Sequence, residues 1–198
     1  MLNILKESGS TEKSLPFCLA PAGWLDYDKA AIVSFVYDDL LPQVDVARRR
    51  AFPAQAQATD EKVQNERAAH FFNPHRMFWN LAVPPVTGST VKPVRAQAIA
   101  DQVVIACALE RYKIKKSKYP DTLAMLSPEF LEKVPHDIIT GDPLHYSLES
   151  NGRYKIYSVG WDEKDDGGII AVRKDSPDRL DERQGDWVWA YPAIESAR

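Results

Sequence analysis

Residues 154–168 read YKIYSVGWDEKDDGG, a short strand that runs directly into an acidic loop closed by two glycines. Just upstream, residues 144–148 (LHYSL) alternate apolar and polar side chains, which is the period of a strand with one buried face. Asn151-Gly152, between the two segments, is a strong signal for a tight hairpin turn. The pattern therefore predicts two antiparallel strands that lead into an exposed loop.

Two further strands are predicted after the acidic loop. Residues 169–172 are a short apolar run, and residues 186–191 (DWVWAY) place Trp187, Trp189 and Tyr191 on one face at period two. A small antiparallel sheet of three to four strands must bury one face against another layer. Because a long helix is predicted before these strands, we expect an α+β fold in which that helix packs on the sheet.

The long helix is predicted at residues 94–116, after Pro93, which suits a first helical turn. Its middle reads VVIACAL and is apolar all round, which is typical of a helix buried on more than one side. We therefore expect the sheet on one face of the helix and N-terminal helices on the other, with Cys107 as a buried apolar residue. Tyr119-Pro120 is the predicted exit from the helical segment.

The first half of the chain predicts a helical, proline-rich region. Apolar residues recur at helical spacing in residues 29–41, and a second helix is predicted to begin at Thr59 or Asp60. The linker PPVTGST has turn chemistry and is the predicted boundary. The chain is thus expected to divide into a helical N-terminal extension, residues 1–90, and an α+β domain, residues 91–198.

The net charge and composition of the chain argue against several classes of partner. With a formal net charge of −3 over 198 residues, there is no electrostatic reason to expect nucleic acid or an anionic membrane. The longest uninterrupted apolar run, residues 103–109, is far shorter than the roughly 20 residues of a membrane-spanning helix. The opening MLNILKESGSTEKS lacks the apolar centre of a secretory signal peptide. Two cysteines make neither a disulfide framework nor a zinc site.

No constellation of residues in the sequence resembles an enzyme active site. The chain has no glycine-flanked serine elbow, phosphate-cradling glycine loop, paired CxxC or HExxH. His136-Asp137 resembles half of a catalytic triad, but a histidine satisfied within a loop is the simpler interpretation. We therefore expect a protein without enzymatic activity.

The acidic loop is a candidate metal site. Four acids lie within residues 162–166, immediately before two glycines. Calcium takes about six to eight oxygen ligands, and this loop offers carboxylates on a backbone that can bend tightly. The spacing is not that of an EF-hand, because Arg173 stands where that loop needs a bidentate glutamate. The alternative is that the aspartates cap turns through Asx hydrogen bonds and keep the loop solvated.

Five consecutive pieces of the sequence carry a family resemblance: ALERYKIKKSKYPDTLAML, SPEFLEKVPHD, GDPLHYSL, NGRYKIYSVGWDEKDDGG and GDWVWAYP. Over residues 97–192 their order resembles the soluble domain of type II secretion major pseudopilins. In that domain a long helix ends near a tyrosine-proline pair, and a three-stranded antiparallel sheet carries a calcium loop. The same tail is similar to that of uncharacterised envelope-type proteins of the Verrucomicrobia and Planctomycetes. This sequence contains neither the prepilin cleavage motif nor the membrane-spanning helix of the pseudopilins.

The resemblance implies a pilin-like architecture, a location in the cell envelope or periplasm, and assembly with protein partners or with copies of the same chain. It also implies a calcium ion held by a carbonyl near the end of a strand, by loop aspartates and by an aspartate before the last strand. Carried onto this sequence, those ligands are Val159, Asp162 with Asp165 or Asp166, and Asp186.

The aromatic residues of the C-terminal half offer an alternative function. Trp161, Trp187, Trp189 and Tyr191 could form a flat platform that binds a glycan or a peptide. At period two, the residues of the last strand would equally well fill the inner face of a small sheet. Whether the tryptophans are exposed or buried decides between a binding module and a packed sheet.

Overall fold

Three helices and a short hairpin form the N-terminal part of the fold in this computed structural model, which describes residues 22–69, 77–83, 88–149 and 152–191. In chain order the elements are helix α1 (Ala22–Ser34), a π-helical turn (Phe35–Leu40), a 3-10 turn (Leu41–Gln43), strands β1 (Val44–Asp45) and β2 (Arg50–Ala51), and helices α2 (Pro53–Ala69) and α3 (Met77–Ala82). The helical N-terminal region is thus present, although its helices begin earlier than predicted.

The early start of α2 has a local cause. The helix begins at Pro53 instead of Thr59 or Asp60. Proline is well suited to the first helical position, because its missing N–H would have no intrahelical partner there. The following residues, AQAQA, are good helix formers and extend the helix through a segment that was expected to be a connector.

The N-terminal helices pack mainly on one another. Helix α1 packs on α3, and α2 packs on the π-helical turn and the 3-10 turn. Their shared core contains Phe35, Val63, Trp79 and Val83, which are all buried. This cluster is separate from the core beneath the main sheet, so these helices do not need a second layer to cover their apolar faces.

The longest helix, α4 (Val91–Lys116), ends at Ser117 in the left-handed conformation. Its inner face buries Ile105, Leu109 and Tyr112 against the core. Its outer face leaves Val104 45% and Ile114 83% exposed, and Cys107 is exposed as well. The prediction that this helix is buried on both sides, with Cys107 in the core, is therefore wrong.

The main sheet is antiparallel and three-stranded. It consists of β3 (His145–Leu148), β4 (Tyr154–Ser158) and β7 (Trp187–Tyr191), with β4 in the centre. Ile156 of β4 lies opposite Tyr146 on one side and Trp189 on the other. Helix α4 packs on β4 and β7. The α+β class, with a long helix on a small antiparallel sheet, is confirmed.

A second hairpin stands apart from this sheet. Its strands are β5 (Ile170–Arg173) and β6 (Ser176–Gly185), which pair only with each other and are interrupted by register shifts. The sequence predicted β5 but placed it in the main meander, and it did not predict β6. The segment SPDRLDERQG has no apolar alternation, so its strand is set by pairing with β5 and not by burial.

A buried amide joins α4 to the main sheet. Gln102 is fully buried, and its Nε2 donates a 2.6 Å hydrogen bond to the carbonyl oxygen of Trp187 at the start of β7. The amide Oε1 has no hydrogen-bond partner within the described residues, so the Nε2 bond is the polar contact that this buried side chain makes. The bond therefore sets where the helix lies along the last strand.

Hydrogen bonds tie the 3-10 turn and the N-terminal hairpin to later segments of the chain. Thr90 Oγ1 donates to Gln43 Oε1 at 2.7 Å, and the N–H of Ala51 donates to the carbonyl of Ile138 at 2.8 Å. Residues 84–87 of the predicted linker lie outside the described residues, and the division at residue 90 stays a prediction. Within the described ranges, no helix has the length and apolar character needed to cross a membrane.

We expect Gly160→Ala to lower the free energy of unfolding by about 3 kcal/mol or more, measured by urea denaturation. Gly160 has φ +74°, and a Cβ at this position would overlap the carbonyl oxygen of Gly185. Gly152→Ala is the matched control, because Gly152 has φ +78° but open space around it. That variant should lose only the roughly 1 kcal/mol of the left-handed backbone. Equal losses in the two variants would contradict a close approach at Gly160.

Candidate functional site

The acidic loop leaves the main sheet at the end of β4 and returns to the β5–β6 hairpin. Val159, its first residue, is buried, and its N–H donates to Asp137 Oδ2 at 3.2 Å. Gly160 then turns the chain in the left-handed region. The loop crosses the junction between β6 and β7, so that residues 162–169 lie beside Gly185 and Asp186.

Asp186 holds the loop from the side of the last strand. Its side chain is almost fully buried, with 2% of the residue exposed. Oδ2 accepts hydrogen bonds from the N–H groups of Gly168 at 2.6 Å and Ile169 at 3.2 Å, and Oδ1 accepts one from Asp166 at 3.4 Å. A buried carboxylate needs such donors, because an uncompensated charge in the interior is strongly unfavourable.

Asp162 makes the reverse connection. Its Oδ2 accepts a hydrogen bond from the N–H of Gly185 at 3.3 Å, and its Oδ1 lies 3.5 Å from the N–H of Lys164. The loop aspartate therefore binds backbone next to the last strand, while Asp186 binds backbone of the loop. We refer to these contacts of Asp162 and Asp186 as the aspartate clamp.

Asp165 anchors the outer part of the loop to the sheet. Its Oδ1 accepts hydrogen bonds from the N–H of Gly167 at 2.9 Å and from the Tyr157 hydroxyl at 3.1 Å. His145 Nδ1 lies 3.7 Å from Oδ2, and the His145 ring stacks on Tyr157. The hydrogen bond from the Gly167 N–H, the Tyr157 hydroxyl and the nearby side chains of His145 and Lys155 lower the pKa of Asp165. Burial and the hydrogen bond to Asp165 raise the pKa of Tyr157.

The geometry does not favour calcium. Asp162, Asp165 and Asp186 each point at least one oxygen at backbone N–H groups, whose positive ends repel a cation. Asp166 is exposed and contributes its N–H, not its carboxylate, to the clamp. Across the residues with described positions, no three His, Cys, Asp or Glu side chains form a group that could hold a metal. A calcium site needs converging oxygens, whereas here the aspartates bind backbone N–H groups, and the calcium ion implied by the resemblance stays a prediction.

Asp137 is a structural residue that the sequence reading missed. It is buried, and its Oδ1 accepts hydrogen bonds from Ser158 Oγ and from the N–H of Ile139, both at 2.8 Å. Together with the hydrogen bond from the Val159 N–H, these contacts fix the backbone at the end of β4. The signal in the sequence is a single acid next to Ile138 and Ile139. An acid that is buried beside such apolar residues must accept hydrogen bonds. The neighbouring His136 does not share the role, because its Nε2 lies 3.2 Å from the carbonyl oxygen of Arg49.

The structure contradicts the aromatic platform. Trp161 and Trp187 are 9% and 3% exposed and belong to one core cluster, and Trp189 packs against the other. Trp187 Nε1 also donates to the carbonyl of Glu182 at 3.3 Å. The side chain of Tyr191 lies outside the described residues. These indoles are packed in the core together with other bulky residues of the sheet such as Tyr154 and Ile156, so they do not form an exposed flat surface.

Comparisons with family models, with curated proteins and with solved structures give no match for this chain. The resemblance to pseudopilins therefore rests on the five sequence pieces quoted above and stays a prediction.

We expect Asp186→Asn to lower the free energy of unfolding by about 2–4 kcal/mol in chemical denaturation. An amide has one oxygen in place of two, and its NH2 group would face the N–H donors of the loop. Asp166→Asn is the control, because its side chain is exposed in the same loop and should change stability by less than about 0.5 kcal/mol. Similar small effects in both variants would show that the clamp does not stabilise the fold.

Calcium should leave the melting temperature unchanged. A ligand that binds only the folded state at a hundred times its Kd adds about 2.7 kcal/mol, which would raise Tm by several degrees. Melts in EDTA, in millimolar calcium and in millimolar magnesium measure this directly. A calcium-specific rise that disappears in Asp162→Ala would overturn the expectation and support the ligand set implied by the resemblance.

Proposed function

We propose that this protein is a non-enzymatic structural or interaction protein of the cell envelope, built on a pseudopilin-like α+β domain. The observation that carries the proposal is the order of elements in the C-terminal half. Helix α4 ends at Lys116, shortly before Tyr119-Pro120, a 3-10 turn (Leu123–Leu126) follows, and three antiparallel strands complete the unit. Asp186, directly before the last strand, holds the loop that leaves the central strand.

The exposed face of α4 supports an interaction role. Val104, Cys107 and Ile114 lie on the side of the helix that faces away from the sheet, and all three are exposed. Their spacing of three and seven places them along one stripe of a helix. Exposed apolar residues on one side of a helix, here with Arg111 between Cys107 and Ile114, are accessible to another protein chain.

The state of the buried acids supports a non-enzymatic role. Asp137 and Asp186 are the buried carboxylates beside the loop, and each accepts three hydrogen bonds from backbone or hydroxyl groups. A general base must accept a substrate proton on a free lone pair, and a general acid must present its own proton to the substrate. These two carboxylates are instead used to hold backbone in place.

The proposal is tested in the cells that carry the protein. A tagged chain should fractionate with the envelope, and a photo-crosslinking amino acid at Ile114 should give discrete products of higher mass. The matched control carries the same amino acid at Lys133, which is exposed on a loop away from the apolar stripe. Recovery in the soluble cytosol, with the same faint background at both positions, would refute the envelope role.

A further inference from the structure

A pocket lies between the β1–β2 hairpin and the first turns of α4. Its volume is about 320 Å³, within the roughly 300–1,000 Å³ that is usual for ligand sites. Val94 and Ile138 line its buried part and belong to a core cluster, and Val44 and Pro93 complete the apolar lining. The pocket is therefore an opening in the surface that leads to the hydrophobic core.

Arg49 supplies the basic group of this pocket. It lines the pocket from the β1–β2 turn, its side chain is 48% exposed, and one of its Nη atoms donates a hydrogen bond to Asp101. Asp101 is the one partner of the guanidinium among the described residues, so most of its five N–H donors are open to a ligand. We call this space the arginine pocket.

Gln97 adds a hydrogen-bond acceptor at the same end of the pocket. Its Nε2 donates to Asp101 Oδ1 at 3.1 Å, and its Oε1 makes no hydrogen bond with another described residue. Arg49 donates to the same oxygen, Asp101 Oδ1. Because both side chains contact one atom, the open N–H groups of Arg49 and the amide of Gln97 lie close together.

The charges of the β1–β2 turn favour an anionic ligand. Residues 48–50 are three consecutive arginines, of which the first two pair with Asp45 and Asp101. Arg50 instead donates to the carbonyl oxygen of Ile139 at 2.9 Å and pairs with no acid in the described part of the chain. One positive charge of the turn therefore stays unbalanced, which favours a carboxylate over an amine.

We propose that the arginine pocket binds the C-terminal residue of a partner polypeptide that ends in an aliphatic side chain. The side chain enters the apolar part of the pocket, and the terminal carboxylate accepts hydrogen bonds from Arg49. The N–H of the same residue donates to Gln97 Oε1. A free fatty acid offers the aliphatic group and the carboxylate but has no N–H for Gln97. This proposal rests on the proposed interaction role and names the class of partner and the residues that bind it.

The affinity is expected to be modest, because the pocket holds a single residue of the partner. A Kd on the order of 100 μM is reasonable for a contact of this size. Since Arg49 is partly exposed to water, raising the salt concentration should weaken the binding.

Fluorescence anisotropy of the full chain with a labelled glycine-serine pentapeptide that ends in leucine tests the ligand chemistry. The same peptide with an amidated C-terminus should bind at least about tenfold more weakly, because it lacks the charge that Arg49 binds. As a competitor, 4-methylpentanoate has the leucine side chain and a carboxylate without the N–H, and should also be at least about tenfold weaker. Equal affinity of this free acid would overturn the assignment to a polypeptide.

Substitutions at the rim test the position of the site. Val46 lines the pocket and is 82% exposed, so a change there leaves the core intact. Val46→Glu should raise the Kd about two- to fivefold and Val46→Lys should lower it, whereas a purely steric effect would change both in the same direction. Ile114→Glu is the matched control, because Ile114 is 83% exposed near the other end of α4.

Removal of the guanidinium tests the central contact. Arg49 has φ 52°, and asparagine tolerates this left-handed conformation. Arg49→Asn should therefore keep the turn and raise the Kd at least about tenfold, with circular dichroism to check the fold. Unchanged affinity in this variant would overturn the proposal, and the two Val46 variants decide the matter if Arg49→Asn does not fold.

The outcomes separate this proposal from the envelope role. Absence of binding at 1 mM chain, or equal affinities for the peptide acid and the peptide amide, would overturn the arginine pocket without touching fractionation or crosslinking at Ile114. A chain that binds the peptide acid as expected but is recovered in the cytosol would support the pocket and refute the envelope role alone.

Discussion

The hydrogen bonds that the buried carboxylate of Asp186 accepts are the interaction on which the C-terminal half depends. It lies at the junction of β6 and β7, and it binds the backbone of a loop that started from the central strand. Asp162 binds back across the same gap. Two short side chains thereby fix the separation of the strand end and the hairpin base.

The same junction connects the layers of the fold. Residue Trp187 follows the clamp, and its carbonyl accepts the hydrogen bond from the buried amide of Gln102 on α4. Its indole N–H reaches back to Glu182 in β6. Asp186 and Trp187 therefore connect the helix, the main sheet and the hairpin. This explains why the Trp187 indole is a core residue and not part of a ligand platform.

The parts of the fold that follow from local pattern could be predicted from the sequence. The alternation of LHYSL and the tyrosine-proline exit give the strands of the meander and the end of α4, because both signals lie within a few residues. The partner of a strand is not local, so the charged segment of β6 was missed and β5 was placed in the wrong sheet. For the same reason the acidic loop could be recognised as a site, whereas the choice between N–H donors and a cation depends on how Asp162 and Asp186 meet in space. The open outer face of α4 was missed because composition cannot tell which apolar residues find a neighbour.

The position of the clamp has a mechanical consequence. A force applied to the β5–β6 hairpin reaches the main sheet through Gly185 and Asp186, since β6 runs directly into β7. Two-stranded ribbons separate like a zipper, one bond at a time, but the hydrogen bonds of Asp186 to Gly168 and Ile169 join both legs of the hairpin at its base. They would bear the load together before the ladder between β4 and β7 begins to open. A force on the hairpin is thus borne first by the hydrogen bonds of one buried side chain, Asp186.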